Sequence, residues 1–258
     1  AEMVRRFIWN RSELRGSNMG FFRKHFTKMP ADVQREGLGR WFEIVEERFM
    51  DIFWVNIATL GCLIPSIVCF MIMVGMKDFR WWIPGLILTV CAGPAVTAMH
   101  TICMRIVLRM HYWLWEDYKG CIRKEWRSSA LLTFILGVFW SVYSLAIYLV
   151  WEVEGRIPLF LFVIFAVYGY LLVGVTMFSY QILSVVRLPL RYILKDSVLL
   201  IFAGKIRSVA SVFLIITGAV FIYCQTLWTG IFIIVGGFGL MTMTTCLINE
   251  NVIKQCMK

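Results

Sequence analysis

Long apolar runs divide the chain, and clusters of charged residues separate them. A transmembrane helix needs about 17–25 mostly apolar residues, because each residue adds about 1.5 Å across about 30 Å of hydrocarbon. Six runs meet this requirement, so the pattern predicts an all-α, polytopic membrane helix bundle. The predicted spans are residues 52–76, 81–104, 130–151, 157–186, 209–228 and 231–248.

The predicted spans form a transmembrane domain over residues 51–248, flanked by polar segments. A basic region, residues 1–50, precedes it, and a short tail, residues 249–258, follows it. The first residues, Ala1 to Arg15, are polar and basic, unlike a cleavable signal peptide. Just before the first span, aromatic and aliphatic residues are interspersed with Glu43, Glu46 and Glu47. This pattern predicts an amphipathic helix there.

Two connections between spans also have helical patterns. After the second span, one face is apolar and another is basic; the two sets are Trp115, Tyr118, Ile122 and Trp126, and Lys119, Arg123 and Arg127. This pattern predicts an amphipathic helix lying along the membrane surface. After Pro189, the apolar run Ser197–Gly204 is too short to cross the bilayer and predicts an interfacial or re-entrant helix.

The basic residues lie almost entirely on one side of the predicted spans. Of the 26 Lys and Arg, all but Lys77, Arg80 and Arg156 lie on the side that contains both ends of the chain. Cytoplasmic segments are enriched in Lys and Arg, so we expect both termini to be cytoplasmic in a multi-pass plasma membrane protein. The net charge of +10 then faces the anionic inner leaflet, which we expect as a partner, and nucleic acid is not needed to explain it.

The composition agrees with the membrane class, since 60% of the residues are hydrophobic and 16% are charged. Within the predicted spans, the candidate intramembrane polar residues are Asn56, His100 and Gln181. Asn56 could line a cavity and His100 could titrate, but hydrogen bonds to neighbouring helices are the commoner roles. The predicted span cores contain no acidic residue, which argues against ion-coupled transport.

The glycines and cysteines in the predicted spans are interpreted as structural residues. Gly93-Pro94 predicts a local kink, and Gly236, Gly237 and Gly239 predict close helix approach. The 8 cysteines form no CxxC pair and lie mostly in apolar runs, so we interpret them as packing residues.

Sequence motifs for catalysis are missing. The chain has no phosphate-binding glycine loop, no HExxH, no Cys/His ligand set and no GxSxG. Glu116-Asp117 is a pair of neighbouring acids, but basic residues nearby favour an ion-paired surface. We therefore expect no catalytic residue, metal site or cofactor.

Two stretches of the sequence resemble the YesL-like family of bacterial membrane proteins. The first runs from Phe49-Met50-Asp51 through Asn56 to Cys62-Leu63-Ile64-Pro65. The second begins at Gly93-Pro94-Ala95-Val96-Thr97-Ala98 and continues through Trp115-Glu116-Asp117-Tyr118 and Lys124-Glu125-Trp126-Arg127. Arg187-Leu188-Pro189-Leu190-Arg191 is also similar. The resemblance implies an accessory membrane subunit that binds or regulates a carbohydrate ABC importer of Gram-positive bacteria. The family provides no catalytic residues.

Three functions remain open from the sequence. The first is a non-enzymatic accessory or scaffold protein that associates with or regulates a membrane protein complex, namely a carbohydrate ABC importer, through its basic cytoplasmic face. Its candidate docking residues are Trp115, Tyr118, Lys119, Arg123, Trp126, Arg127, Arg187 and Arg191. The second is a transporter or channel for a neutral or amphiphilic solute, which would use Asn56, Thr97, His100 and Gln181. The third is a lipid-acting enzyme with polar groups near Arg105, Arg109, Glu116 and Asp117.

Overall fold

A computed structural model describes residues 38–76, 79–154, 158–186, 188–223 and 233–257, and this part of the chain is all-helical without strands. The all-α prediction is therefore confirmed for it. The helices are α1 (Leu38–Met76), α2 (Trp82–Val107), α3 (Leu114–Glu154), α4 (Leu159–Val185), α5 (Leu190–Ala203), α6 (Lys205–Tyr223) and α7 (Phe238–Met257). A 3-10 turn, Phe79–Trp81, precedes α2, and a π turn, Ile233–Gly237, precedes α7.

Four helices, α1 to α4, are long and apolar enough to cross a membrane. Helices α5 and α6 meet that requirement only as a pair bent by 106°, which would make five spans. The described part of the chain thus contains four candidate spans, which overlap the first four predicted ones, and a fifth only if α5 and α6 together form one bent span. The predicted fifth and sixth spans, 209–228 and 231–248, lie partly outside the described residues. Helix α7 is not a candidate span because its second half is polar, with Asn249 and Glu250.

The two predicted amphipathic segments are the first halves of long spanning helices. Helix α1 has 39 residues and α3 has 41, which gives lengths of about 58 and 61 Å. Each is about twice the thickness of the hydrocarbon core. The predicted boundary at residue 50 falls inside α1, and no separate surface helix is present at residues 114–129. Proline is absent from both junctions, so the backbone hydrogen bonding continues into the apolar run.

Helix α2 is also continuous, through the predicted kink at Gly93-Pro94. Gly93 lies where α2 meets α3. A Cβ atom on Gly93 would lie 2.0 Å from Thr133 Oγ1 and 3.2 Å from the backbone carbonyl oxygen of Ser129. The glycine therefore permits the two helices to approach closely.

Replacing Gly93 with alanine is expected to lower the free energy of unfolding by about 1–3 kcal/mol, because a methyl group there must displace α3. Unfolding by titration with a denaturing detergent measures this change. Gly61→Ala is the matched control, since a Cβ at helical Gly61 meets nothing within 4 Å. Equal stabilities of the two variants would show that Gly93 is not needed for the close approach of α2 and α3.

The packed core lies toward the end of the bundle where α1 and α3 begin and α2 and α4 end. The second half of α2, from Ala92, is almost entirely buried. One buried cluster joins α1, α2 and α7, and another joins α3, α4 and α5. Toward the opposite end, large apolar side chains of α3 and α4 are exposed, as a lipid-facing surface requires; they include Val142, Leu145, Leu159, Phe160 and Val163.

Candidate functional site

A basic–aromatic surface covers the exposed side of the first half of α3. We define it by its exposed residues, Trp115, Lys119, Arg123, Lys124, Trp126 and Arg127. Trp115 and Trp126 are 45% and 47% exposed, and tryptophan is enriched both at protein interfaces and at membrane surfaces. Because all six residues lie on one helix, their relative positions are fixed.

The other candidate docking residues differ in their placement. Tyr118 is only 4% exposed, and its hydroxyl lies 3.1 Å from Thr59 Oγ1 of α1, so it packs inside the bundle and not on the basic–aromatic surface. Arg191 is exposed near the start of α5. Arg187 lies outside the described residues.

Ion pairs fix the position of the basic–aromatic surface relative to the bundle. Arg105, in the last turn of α2, lies 2.5 Å from Asp117 in the first turn of α3. The same carboxylate accepts the Trp113 backbone N–H at 2.8 Å, which caps the start of α3. Arg109, beyond the end of α2, donates to Glu43 of α1 at 2.9 Å. Asp117 is therefore a structural ion-pair partner, as expected for the Glu116-Asp117 pair.

Arg40 joins three helices at the same end of the bundle. Its guanidinium donates to Glu250 of α7 at 2.7 Å and to the backbone carbonyl of Val107, the last residue of α2, at 2.6 Å. Nearby, Trp41 Nε1 donates to Thr244 of α7 at 2.8 Å. The start of α1 and the second half of α7 therefore lie together. The sequence pattern did not predict this contact, because Arg40 and Glu250 both lie in segments that were expected to be solvated.

Tyr112 closes the connection between α2 and α3. Its hydroxyl donates to Asp51 of α1, and the Arg48 guanidinium lies 5.7 Å from the centre of its ring. The pKa of Tyr112 is raised above its ordinary value, chiefly because the phenol is buried and secondly because it donates a hydrogen bond to Asp51. Tyr112 thus remains a neutral hydrogen-bond donor and anchors the connection to α1.

Asn56 bridges a break in the backbone before α7. Gly236 has a φ of 138°, which interrupts the helix and leaves backbone groups without their usual partners. Asn56 Nδ2 donates to the Ile233 carbonyl at 2.9 Å, and Asn56 Oδ1 accepts the Gly239 N–H at 2.9 Å. Gly239 permits this contact, since a Cβ there would lie 3.0 Å from Ile52. Of the glycines predicted to allow close approach, Gly239 does so, whereas Gly236 forms the break.

Gln181 belongs to a buried polar cluster between α4, α6 and α7. Asn249 Nδ2 donates to Gln181 Oε1 at 3.3 Å, and Gln181 Nε2 lies 3.4 Å from Thr245 Oγ1. Ser211 of α6 donates to Asn249 Oδ1 at 3.2 Å. These side chains are essentially inaccessible to solvent and satisfy one another across the helix interfaces.

His100 lies against α4 and is 7% exposed. Its ring stacks on that of Tyr180 with a centroid distance of 5.6 Å, and the Tyr180 hydroxyl lies 2.8 Å from Thr133 Oγ1 of α3. His100 Nδ1 is buried and has no hydrogen-bond partner among the described residues. The aromatic stacking shows that His100 contributes to packing between α2 and α4.

The possible metal ligands and the cysteines among the described residues bear on metal and redox chemistry. Within them, no group of three or more His, Cys, Asp or Glu is placed to hold a metal ion. The cysteines whose side chains are described are free thiols: Cys62, Cys69, Cys91, Cys103, Cys121 and Cys246.

Comparison with known proteins gives no relative, since no protein-family model, curated protein or solved structure matches the chain.

Proposed function

We propose that the chain is a non-enzymatic accessory or scaffold protein of the plasma membrane, which docks a membrane protein complex through its basic–aromatic surface. The supporting observation is the exposure of Trp115 and Trp126 beside a row of cations on one rigid helix. Exposed tryptophans and arginines are the residues that most often dominate binding at protein interfaces.

The arrangement around this surface suits docking. The Arg105–Asp117 ion pair holds α3 against α2, and the Arg109–Glu43 ion pair holds the end of α2 against α1, so the surface does not have to be ordered when a partner binds. A preorganised surface loses less conformational entropy on association. The exposed Arg191 on α5 extends the positive charge beyond α3.

The intramembrane polar residues support an architectural role. Asn56 and Gln181 are fully buried, and each is hydrogen-bonded to another helix or to the π turn. The alternative function, transport of a neutral or amphiphilic solute, would require these groups to line an open path. Their hydrogen bonds to α7 and to the π turn favour the scaffold.

The proposed topology keeps the six predicted crossings, the sixth formed by residues 231–248 as a whole and not by α7 alone, with both termini and the basic–aromatic surface in the cytoplasm. The bias of Lys and Arg supports this orientation. The resemblance to YesL-like proteins suggests the partner, a carbohydrate ABC importer, and the bacterial plasma membrane as the location.

Affinity purification in mild detergent, followed by quantitative mass spectrometry, tests the docking proposal. We expect Trp115→Ala/Lys119→Gln to reduce the recovered partner at least about tenfold, because a tryptophan at the centre of an interface contributes about 2 kcal/mol or more. Trp54→Ala/Arg207→Gln is the matched control, since it also removes one exposed tryptophan and one exposed cation. Purification of the wild-type chain without a stoichiometric partner, or equal recovery with both variants, would contradict the proposal.

A further inference from the structure

Part of the basic–aromatic surface continues directly into the lipid-facing side of α3. Residues separated by four, seven and eleven positions lie on one face of a helix. From Arg127, these positions are Leu131, Phe134 and Val138, whose side chains are 51%, 49% and 40% exposed. The face that meets acyl chains therefore begins one helical turn beyond an exposed arginine.

Three cations lie at this boundary. Arg123 and Arg127 are one turn apart, and Lys124 lies beside them on the exposed side of α3. Together with Ile122, Trp126 and Ser128, they surround a shallow depression in the surface. The nearest exposed acid on this face, Glu116, lies two turns farther from the apolar surface than Arg123. The positive charge is thus concentrated next to the apolar side chains.

The spacing fits the boundary between headgroups and acyl chains. One helical turn rises about 5.4 Å, and arginine and lysine side chains extend far enough for their charges to reach the headgroups while their stems cover apolar surface. Tryptophan favours the same depth, and Trp126 is 47% exposed there. Along α3, the cations therefore precede the exposed apolar side chains in the order in which headgroups precede acyl chains.

We propose that Arg123, Lys124 and Arg127 form a binding site for the headgroup of an anionic phospholipid, whose acyl chains lie along Leu131, Phe134 and Val138. A soluble anion or a protein would use the cations but would not explain the exposed apolar side chains that follow them on the same face. The site goes beyond the proposed docking function: it shares Arg123, Lys124 and Arg127 with the basic–aromatic surface and leaves Trp115 and Lys119, nearer the start of α3, for the protein partner.

Native mass spectrometry of the chain from nanodiscs tests the site. The bilayers contain dioleoylphosphatidylcholine with one quarter dioleoylphosphatidylglycerol, and the number of retained lipids of each kind is counted. We expect the wild-type chain to retain phosphatidylglycerol preferentially. The triple variant Arg123→Gln/Lys124→Gln/Arg127→Gln should reduce this retention about tenfold or more, because each cation near the surface attracts anionic lipid.

Charge-matched and ligand controls complete the experiment. Lys119→Gln/Arg191→Gln/Arg207→Gln also removes three exposed cations, and it should retain phosphatidylglycerol as the wild-type chain does. Excess inorganic phosphate should leave retention unchanged. Equal losses in the two triple variants, displacement by phosphate, or no preference in the wild-type chain would overturn the proposal. Detergent-unfolding curves establish that both variants are folded.

Retention of phosphatidylglycerol by Trp115→Ala/Lys119→Gln separates the two proposals. If this variant loses the protein partner but keeps the lipid, both proposals hold. If it keeps the partner, only the docking proposal fails.

Discussion

Replacing Asn56 with alanine is expected to lower the free energy of unfolding by about 2–5 kcal/mol. The carboxamide serves two backbone groups at the break before α7, the Ile233 carbonyl and the Gly239 N–H. A buried polar group that loses its partner costs about 1–3 kcal/mol, and here two would lose one. Intramembrane hydrogen bonds are individually modest, but backbone groups at a helix break have no neighbouring turn to replace the lost partner.

Reversible unfolding by titration with a denaturing detergent measures the effect of Asn56→Ala. The matched control is Asn251→Ala, since Asn251 is exposed on α7 and should change stability by less than about 0.5 kcal/mol. Asn56→Leu distinguishes the hydrogen bonds from the volume of the side chain. Leucine keeps the branching and the number of side-chain heavy atoms but forms no hydrogen bond. If the hydrogen bonds hold the break, Asn56→Leu should destabilise the chain about as strongly as Asn56→Ala. Wild-type stability of Asn56→Leu would show that the bridge does not hold the break.

Replacing Arg40 with methionine is expected to cost about 3 kcal/mol. Glu250 is only 6% exposed, and the substitution removes a guanidinium 2.7 Å from its carboxylate. The Val107 carbonyl at the end of α2 loses its hydrogen bond as well. Breaking a buried ion pair by removing one partner is costly because the remaining charge stays poorly solvated.

A double-mutant cycle with Arg40→Met and Glu250→Gln isolates the interaction. We expect a coupling free energy of about 1–3 kcal/mol between the two sites, since residues in one network are not additive. Arg48→Met is the control, because Arg48 and Asp51 are 3.8 Å apart and partly exposed, and such pairs contribute less than about 1 kcal/mol. A coupling energy near zero would show that Arg40 and Glu250 do not stabilise each other.

The four helices that are long and apolar enough to cross a membrane could be predicted because their apolar runs are long and uninterrupted. Their full lengths could not. The apolar run of α1 begins near Ile52, but the helix begins at Leu38, since hydrogen bonding along a helix stops only where a residue or a cap stops it. Hydropathy indicates where lipid contacts a helix, and the helix itself can extend into water on either side.

The break at Gly236 was harder to predict than the kink expected at Pro94. Pro94 lies within a continuous helix, whereas Gly236 adopts a positive φ that most residues avoid. A glycine in a transmembrane segment can serve either close packing or a backbone break. Only the partner, Asn56 on a helix about 180 residues earlier in the sequence, distinguishes the two.

The sequence pattern also could not predict which polar residues contact each other. Arg40 and Glu250 are separated by 210 residues, and both were expected in solvated cytoplasmic segments. Tyr118 was grouped with Trp115 and Trp126 by its spacing, yet it lies toward α1. A helical period shows which residues share a face but not which neighbour that face meets, so adjacent aromatic residues can point to lipid or to the core.

Because α3 is continuous, the basic–aromatic surface is joined rigidly to the half of the helix that is apolar enough to cross a membrane. From Leu114 to Ser129 the helix extends about 24 Å before the apolar run begins. A change of about 10° in the tilt of the span, which a thinner or thicker bilayer can impose, would move Trp115 by about 4 Å. A partner bound near the start of α3 would then be displaced when the thickness of the bilayer changes.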